Sequence, residues 1–292
     1  MYWNWLKIPV LLLPLVNFPL VAEPQQIHYP AVATLSDFSS EYPIALLQLA
    51  LEKAGASAEL QPSAEPMSKS RALLLLNTRA GIDVVWTMTS EERERQYLPV
   101  RIPIYRGLGS YRLLLIRAAD QQKFSDINQP KVLYHTRFAQ VHDWIDTEIL
   151  RAGKFSVLAV SQYENLFQML LKNRVDAVPR GVLEIEAEAQ TWQQHGLAIE
   201  NSWLIQYPGA VYFFVEKSQT ELAATIERGL GRAIDDGSFL RLFDQFFRQH
   251  LDKMLLQQRK VIRLANPFLP AATPLNNQAL WELPQPDDPL IH

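Results

Sequence analysis

Twice along the chain a helical pattern runs through a tight turn into a four-residue apolar strand with Asp near its start. Arg71 to Trp86 reads helix, turn, then Ile82-Asp83-Val84-Val85, and Asn165 to Arg180 reads helix, turn, then Val175-Asp176-Ala177-Val178. A 3.6-residue period that gives way to a short continuous apolar run marks a helix feeding a strand covered on both faces, the building unit of α/β proteins. One such unit in each half points to two similar α/β lobes. Two unrelated αβ units would look much the same, so that alternative stays open on pattern alone.

The rest of the chain alternates in the same way. Ile27 to Tyr29 and Ala58 to Leu60 read as strands around a helix from Pro43 to Ala54, which has Pro near its start and Gly55 as its stop. Ser68 to Thr78 is expected as a helix, Asp83 to Thr87 as a strand, and Tyr111 to Ile116 as a β-rich run after the turn at Gly107 to Ser110. A second series follows: strands at Val132 to Tyr134 and Ser156 to Val160 around a helix near Val141 to Ala152, then a helix from Tyr163 to Lys172 leading to Asp176 to Val178. Gly196 to Glu200 and Val211 to Val215 complete the strands. Helices near Thr220 to Asp235 and Phe239 to Leu251 are separated by the turn at Asp235 to Ser238.

Composition removes whole classes. At 292 residues the chain has room for one large domain or two ordinary ones, and 48% hydrophobic with 20% charged residues excludes disorder and coiled coil. A net charge of -3 offers no footprint for nucleic acid. With Cys at 0, disulfides, thiolate metal sites and a catalytic Cys are excluded. At the N-terminus Lys7 precedes an apolar stretch from Ile8 to Ala22, interrupted by Pro9, Pro14 and Pro19 and followed by the polar run Glu23 to Gln26. That order matches an export signal cleaved after Ala22, and the stretch is short and rich in Pro for a bilayer span; a buried first helix or a retained anchor is the alternative, since only one charge precedes it and Leu20 is large for its place. The remainder is expected to be soluble and periplasmic.

No enzyme signature emerges. There is no Gly-x-Ser-x-Gly elbow, His-Glu-x-x-His or Walker loop, and the six histidines never take ligand spacing, so neither a cofactor nor a metal is expected. The carboxylates at Glu91-Glu92, at Glu184, Glu186 and Glu188, and at Asp235-Asp236 read as solvated faces and helix ends. Two arginines say more. Arg93 stands a short polar segment beyond the strand ending near Thr87, and Arg180 stands two residues beyond the strand Asp176 to Val178. Each lies just past the carboxyl end of a buried strand, where open α/β sheets bind ligands, and a guanidinium grips a carboxylate with two planar hydrogen bonds. A surface position or an internal ion pair is the competing fate of each. Tyr29, Tyr42, Trp86 and Trp144 fall near the same edges, as does Thr87, and the aromatic rings suit the lining of a ligand cleft, although core packing is the commoner role of such residues.

The order of elements resembles the type II periplasmic solute-binding proteins, of the family 3 group that includes the polar amino acid receptors of ABC transporters. The resemblance rests on Ile82-Asp83-Val84-Val85, the following Ser90-Glu91-Glu92-Arg93, the hinge-like run Pro103 to Ile116, Leu170 to Ala177, and the turn Asp236-Gly237-Ser238-Phe239. It implies an α/β fold of two lobes with a central cleft and hinge. The first lobe would comprise residues 23–108 and 208–292 and the second 109–207, joined near Gly107 to Tyr111 and Gln206 to Gly209. It further implies that Arg93 clamps a ligand carboxylate. Where the family has an acid for the ligand ammonium, this chain has Pro179-Arg180-Gly181-Val182, with Glu184 the nearest acid. A cation there predicts a ligand with more than one anionic group, such as a dicarboxylate or a modified amino acid. The tail from Val261, rich in Pro and apolar residues, departs from the family and is expected to strap onto the first lobe.

The function implied is capture of a small solute by hinge closure, for delivery to a membrane permease of the ABC type. A periplasmic sensor acting on a membrane receptor is the near alternative. A small dehydratase-like enzyme on the same scaffold, with Glu184 or Glu164 as general acid, is the more distant one. The expected partners are a small-molecule ligand and a membrane protein, not nucleic acid, and the family expectation is a monomer.

Overall fold

The computed structural model describes residues 24–31, 38–76, 78 and 81–282. The N-terminal segment read as an export signal lies outside the described residues. The chain opens with β1 (Gln25–Ala31), α1 (Phe38–Ala54), β2 (Ala58–Pro66) and α2 (Lys69–Leu76), then β3 (Val85–Met88), α3 (Glu91–Gln96) and β4 (Leu98–Val100). Its middle holds β5 (Tyr111–Arg117), the short helices α4 (Gln121–Ser125) and α5 (Pro130–Leu133), β6 (Arg137–Val141), α6 (Ile145–Ala152) and β7 (Ser156–Val160). There follow α7 (Tyr163–Leu171), β8 (Ala177–Gly181), α8 (Ile185–Trp192), β9 (Leu197–Ile199) and β10 (Trp203–Gln206). β11 (Val211–Val215), α9 (Thr220–Asp235), α10 (Ser238–Met254) and β12 (Lys260–Arg263) complete it.

These strands form three sheets: a parallel pair β1-β2, a three-stranded sheet β3-β11-β4, and a seven-stranded sheet ordered β12-β10-β5-β8-β6-β7 with β9 also on β5. The first two, with α1, α2, α9 and α10, make one side of a cleft, and the large sheet makes the other. The arrangement is the two-lobed α/β fold. On the first side α1 and α9 cross so closely that a Cβ on Gly229 would sit 1.8 Å from the Ala50 carbonyl oxygen, which explains a glycine in mid-helix despite its helix-weakening entropy. Phe243 and Phe247 of α10 meet Tyr42 of α1 edge to face, with ring centroids 5.9 and 4.9 Å apart.

Several expectations shift. The helix predicted from Pro43 begins at Phe38, which places Pro43 inside it. The strand expected at Val132 to Tyr134 is instead α5 and a turn, because Pro130 occupies the first helical position, and the strand falls on Arg137–Val141. The tail does not keep to one lobe either. β12 adds a parallel edge strand to β10 of the large sheet, and only the residues beyond it return to pack Leu280 and Trp281 on the first side.

Candidate functional site

A cavity of about 550 Å³ lies between the two sides. On the first side it is lined by Pro30 and Ala31 at the end of β1, Ser68 to Ser70 at the start of α2, Trp86 to Met88 of β3, and Arg93. On the second it is lined by Gln140 and Val141 of β6, the loop His142 to Asp146 leading into α6, Tyr163, and Pro179 to Gly181 of β8. β3 comes from the first of the two sequence units and β8 from the second, so both meet at this cleft.

Arg93 owes its position to the start of α3. Ser90 sits in extended backbone at the N-cap and its hydroxyl accepts from the Arg93 amide at 3.2 Å, while Glu91 and Glu92 fill the first turn. The guanidinium turns back and donates from Nη1 to the Met88 carbonyl at 2.6 Å. Among the described residues it has no ion-pair partner. Burial lowers its pKa, against the attraction of Asp146 and Asp143 across the cavity.

Arg180 lines the same cavity in a different state. It is 5% exposed, and Glu188, 3% exposed, accepts from its Nε at 2.9 and 2.8 Å and from Nη2 at 2.6 Å. Glu184 lies 3.0 Å from Nη2, and the Trp144 and Tyr163 rings lie 4.6 and 5.4 Å from the guanidinium carbon. Burial alone would discourage the charge, but Glu184 and Glu188 outweigh it and hold Arg180 firmly cationic. The Glu184 carboxyl is in turn held below its ordinary value, its burial overcome by Arg180, Arg112 and Lys69.

Arg112, at the start of β5, donates to Asp146 from Nε at 3.0 Å, to the Tyr207 hydroxyl at 2.8 Å and to the Gly109 carbonyl at 2.7 Å. Gly181 fits only because it lacks a side chain: a Cβ would lie 2.7 Å from Arg112 Nη1 and 2.8 Å from Glu184 Oε1. The second side thus sets Arg112 and Arg180 against Asp143, Asp146, Glu184 and Glu188, while the first side presents Lys69 and Arg93. One wall is formally cationic and the other anionic. Among the described residues one hydrogen bond crosses the cavity, from the Ser70 hydroxyl to Asp143 at 2.7 Å, and elsewhere His250 of α10 bonds the Val182 carbonyl and the Glu186 carboxylate of the second side.

Two buried polar atoms on the lining have no partner among the described residues: Trp86 Nε1, a donor, and Gln140 Oε1, an acceptor. Gln140 Nε2 donates to the Pro179 carbonyl at 2.6 Å, which fixes the amide so that its oxygen is the free end. Leaving such atoms unpaired costs about 1–3 kcal/mol each. Among the described residues there is no group of three or more His, Cys, Asp or Glu that could hold a metal. No helix among them is long and apolar enough to cross a membrane.

Of the residues predicted from sequence, the cavity brings together Arg93, Arg180, Trp86, Thr87 and Trp144. Tyr42 is a correction. It lies one turn inside α1, fully buried, with its hydroxyl donating to the Ile104 carbonyl at 2.8 Å, because the helix starts earlier than its Pro suggested. The Tyr29 ring lies tilted beside Trp86, with centroids 6.2 Å apart, and its neighbours Pro30 and Ala31, not its own ring, line the cavity. Sequence reasoning missed Gln140, Asp143 and Asp146. Their signal was a polar residue at the end of a strand followed by acids before a helix, hidden by placing that strand one element too early.

Scanned against models of known families the chain matches none, and no curated protein matches its sequence. Solved structures do. An ancestral arginine-binding protein bound to glutamine superposes with a TM-score of 0.58 at 19% identity, over 77% of this chain and 98% of the other. The ligand-binding core of GluR0 from Nostoc punctiforme, in complex with L-glutamate, gives 0.52 at 17% identity over 77% and 99%. A periplasmic His/Glu/Gln/Arg/opine family-binding protein from Silicibacter pomeroyi, in complex with lysine, gives 0.56 at 12% identity over 76% and 96%. At these identities the likeness establishes the fold.

Proposed function

We propose that the chain is a solute-binding protein of the family 3 type, which captures a small zwitterionic solute by hinge closure and delivers it to an ABC-type permease from the periplasm. The observation that carries this reading is Arg93, a guanidinium opening into the cleft with no carboxylate partner among the described residues. A ligand carboxylate would complete it with charged hydrogen bonds of about 1.5–3 kcal/mol each. The anionic second wall and the free Gln140 oxygen favour a cation or donor at the other end of the same molecule. The dianion expected from an unpaired Arg180 gives way, since Glu184 and Glu188 already neutralise that residue.

The similar structures are of proteins whose names record arginine, glutamine, glutamate or lysine, which supports an amino acid or a close analogue. We take residues 23–108 and most of 208–292 as the first lobe and 109–207 as the second, with β12 crossing over, and the working unit as a monomer. Glu184 is disfavoured as an acid catalyst. General acid work at neutral pH needs a raised carboxyl pKa, and that of Glu184 is lowered.

The test is a thermal-shift screen of protein unfolded and refolded to strip bound solute, against amino acids, opine-like conjugates, dicarboxylates and sugars. A ligand at about 100 times its Kd adds roughly 2.7 kcal/mol of stability. Shifts with zwitterions but not with dicarboxylates are expected. Shifts confined to dianions or sugars would overturn the assignment of the two walls.

A further inference from the structure

We propose that residues 259–282 form a strap that ties the two lobes together behind the cleft, limits its opening and holds helix α3 at the site. The segment is anchored at both ends on opposite lobes. At its start β12 pairs with β10 from Trp203↔Lys260 to Gln206↔Arg263, and Arg259 donates to the Glu200 and Trp203 carbonyls at 2.5 and 3.3 Å. At its end Leu280 and Trp281 are buried in the same apolar cluster as Ala72, Leu73 and Leu76 of α2 and Tyr212 and Phe214 of β11. Glu282 accepts there from Arg106 at 3.1 Å and from Arg248 at 2.7 Å, and its amide donates to the Arg106 carbonyl at 2.8 Å. Neither anchor is a loose surface contact.

Between the anchors the strap follows the connection from β10 to β11. The Leu264 amide donates to the Gln206 carbonyl at 2.9 Å, and Asn266 Nδ2 donates to the Pro208 carbonyl at 2.9 Å. Two residues later the Phe268 carbonyl accepts from the Glu91 amide at 3.0 Å. Glu91 opens α3, where a helix has no carbonyl of its own for its first amides, so the strap supplies one. From Leu264 to Phe268 is four residues, which reach about 13–14 Å at full extension. With the 2.9 and 3.0 Å hydrogen bonds at its two ends added, rotation that carries the start of α3 further than about 19–20 Å from Gln206 must detach the strap. The chain therefore passes between the lobes four times: from β4 to β5, from β10 to β11, from α10 to β12, and through the strap itself. The added passages stiffen the hinge and bias the empty protein toward small openings, whichever solute it binds.

The absence of Cys lets two labels be placed without background, at exposed Leu74 of α2 and Leu158 of β7, for pulsed electron-spin distance measurements on the ligand-free protein. A protease site inserted between the exposed residues Ala271 and Ala272 allows the strap to be cut after folding. The intact chain is expected to give a narrow distance distribution, and the cut chain one that broadens and lengthens by several ångström. Equal distributions before and after cutting would overturn the proposal. Hydrogen exchange of the uncut protein gives a second readout that needs no altered chain. The Glu91 amide should exchange as slowly as amides of β3, and exchange at the rate of an open helix start would contradict a docked strap.

Discussion

Replacing Glu188 by Leu should expose how Arg180 is held. In the native protein Glu188 takes three hydrogen bonds from Arg180 and one from the Tyr163 hydroxyl at 2.6 Å, with both charged residues almost fully buried. Removing one partner of a buried pair typically costs about 3–5 kcal/mol, because the other charge stays desolvated. Glu184 remains 3.0 Å from the guanidinium, so the lower end, about 3 kcal/mol, applies here. At roughly 2–4 °C per kcal/mol for a chain near this size, Tm should fall by about 6–12 °C. Arg180→Met should cost about as much, by stranding Glu188. The double variant should cost only about 1 kcal/mol, since replacing both charges by apolar groups is often neutral. Urea unfolding of the four proteins gives the cycle, with a coupling of at least about 2 kcal/mol expected. Two inexpensive single variants with additive effects would show that Arg180 faces solvent or ligand, and would refute the reading of the second wall.

Other consequences are simpler. Gly229→Ala pushes a Cβ to 1.8 Å from the Ala50 carbonyl oxygen, backbone that cannot give way without moving α1 from α9, so chemical denaturation should show a loss of about 3 kcal/mol or more. Tyr42→Phe leaves the buried Ile104 carbonyl unpaired and should cost about 1–3 kcal/mol while leaving any ligand-induced thermal shift unchanged, as its place in the core requires. Asp176, hydrogen-bonded by Arg137, has its carboxyl pulled down to about 2. Its contribution is then complete above the unfolded value of about 3.9 and is lost as pH falls through the folded one, so Asp176→Asn should flatten the acid limb of stability against pH between about 4 and 2.

Much of the fold could be read from periodicity alone, because most elements here are plainly amphipathic or plainly apolar. Ser156–Val160 and Val211–Val215 fall on the strands expected, and the α9-α10 pair turns at Gly237, whose φ of 75° suits glycine. The elements that escaped are those whose patterns are set by distant partners. β12 is an edge strand of four residues that exists because β10 offers an open side, and α5 hides behind the apolar run around Val132. At the site, positions were legible and roles were not. Arg93 and Arg180 hold matching places after their strands, and only the three-dimensional approach of Glu188, eight residues beyond Arg180, separates a free guanidinium from a neutralised one. Sequence spacing could not show that, since Glu184, Glu186 and Glu188 look alike along the chain while only two of them reach Arg180.

The central claim is that Arg93 holds the carboxylate of a solute. Calorimetric titration of the tightest-binding zwitterion into the native protein and into Arg93→Lys and Arg93→Ala tests it most directly. Arg93→Ala is expected to weaken binding by about 100-fold, the loss of roughly 2.7 kcal/mol from a charged, two-pronged contact, with little change in the stability of the empty protein. Arg93→Lys should recover only part of that loss, because an ammonium cannot reproduce the planar fork. Unchanged affinity in Arg93→Ala would contradict the account and remove Arg93 from the ligand site.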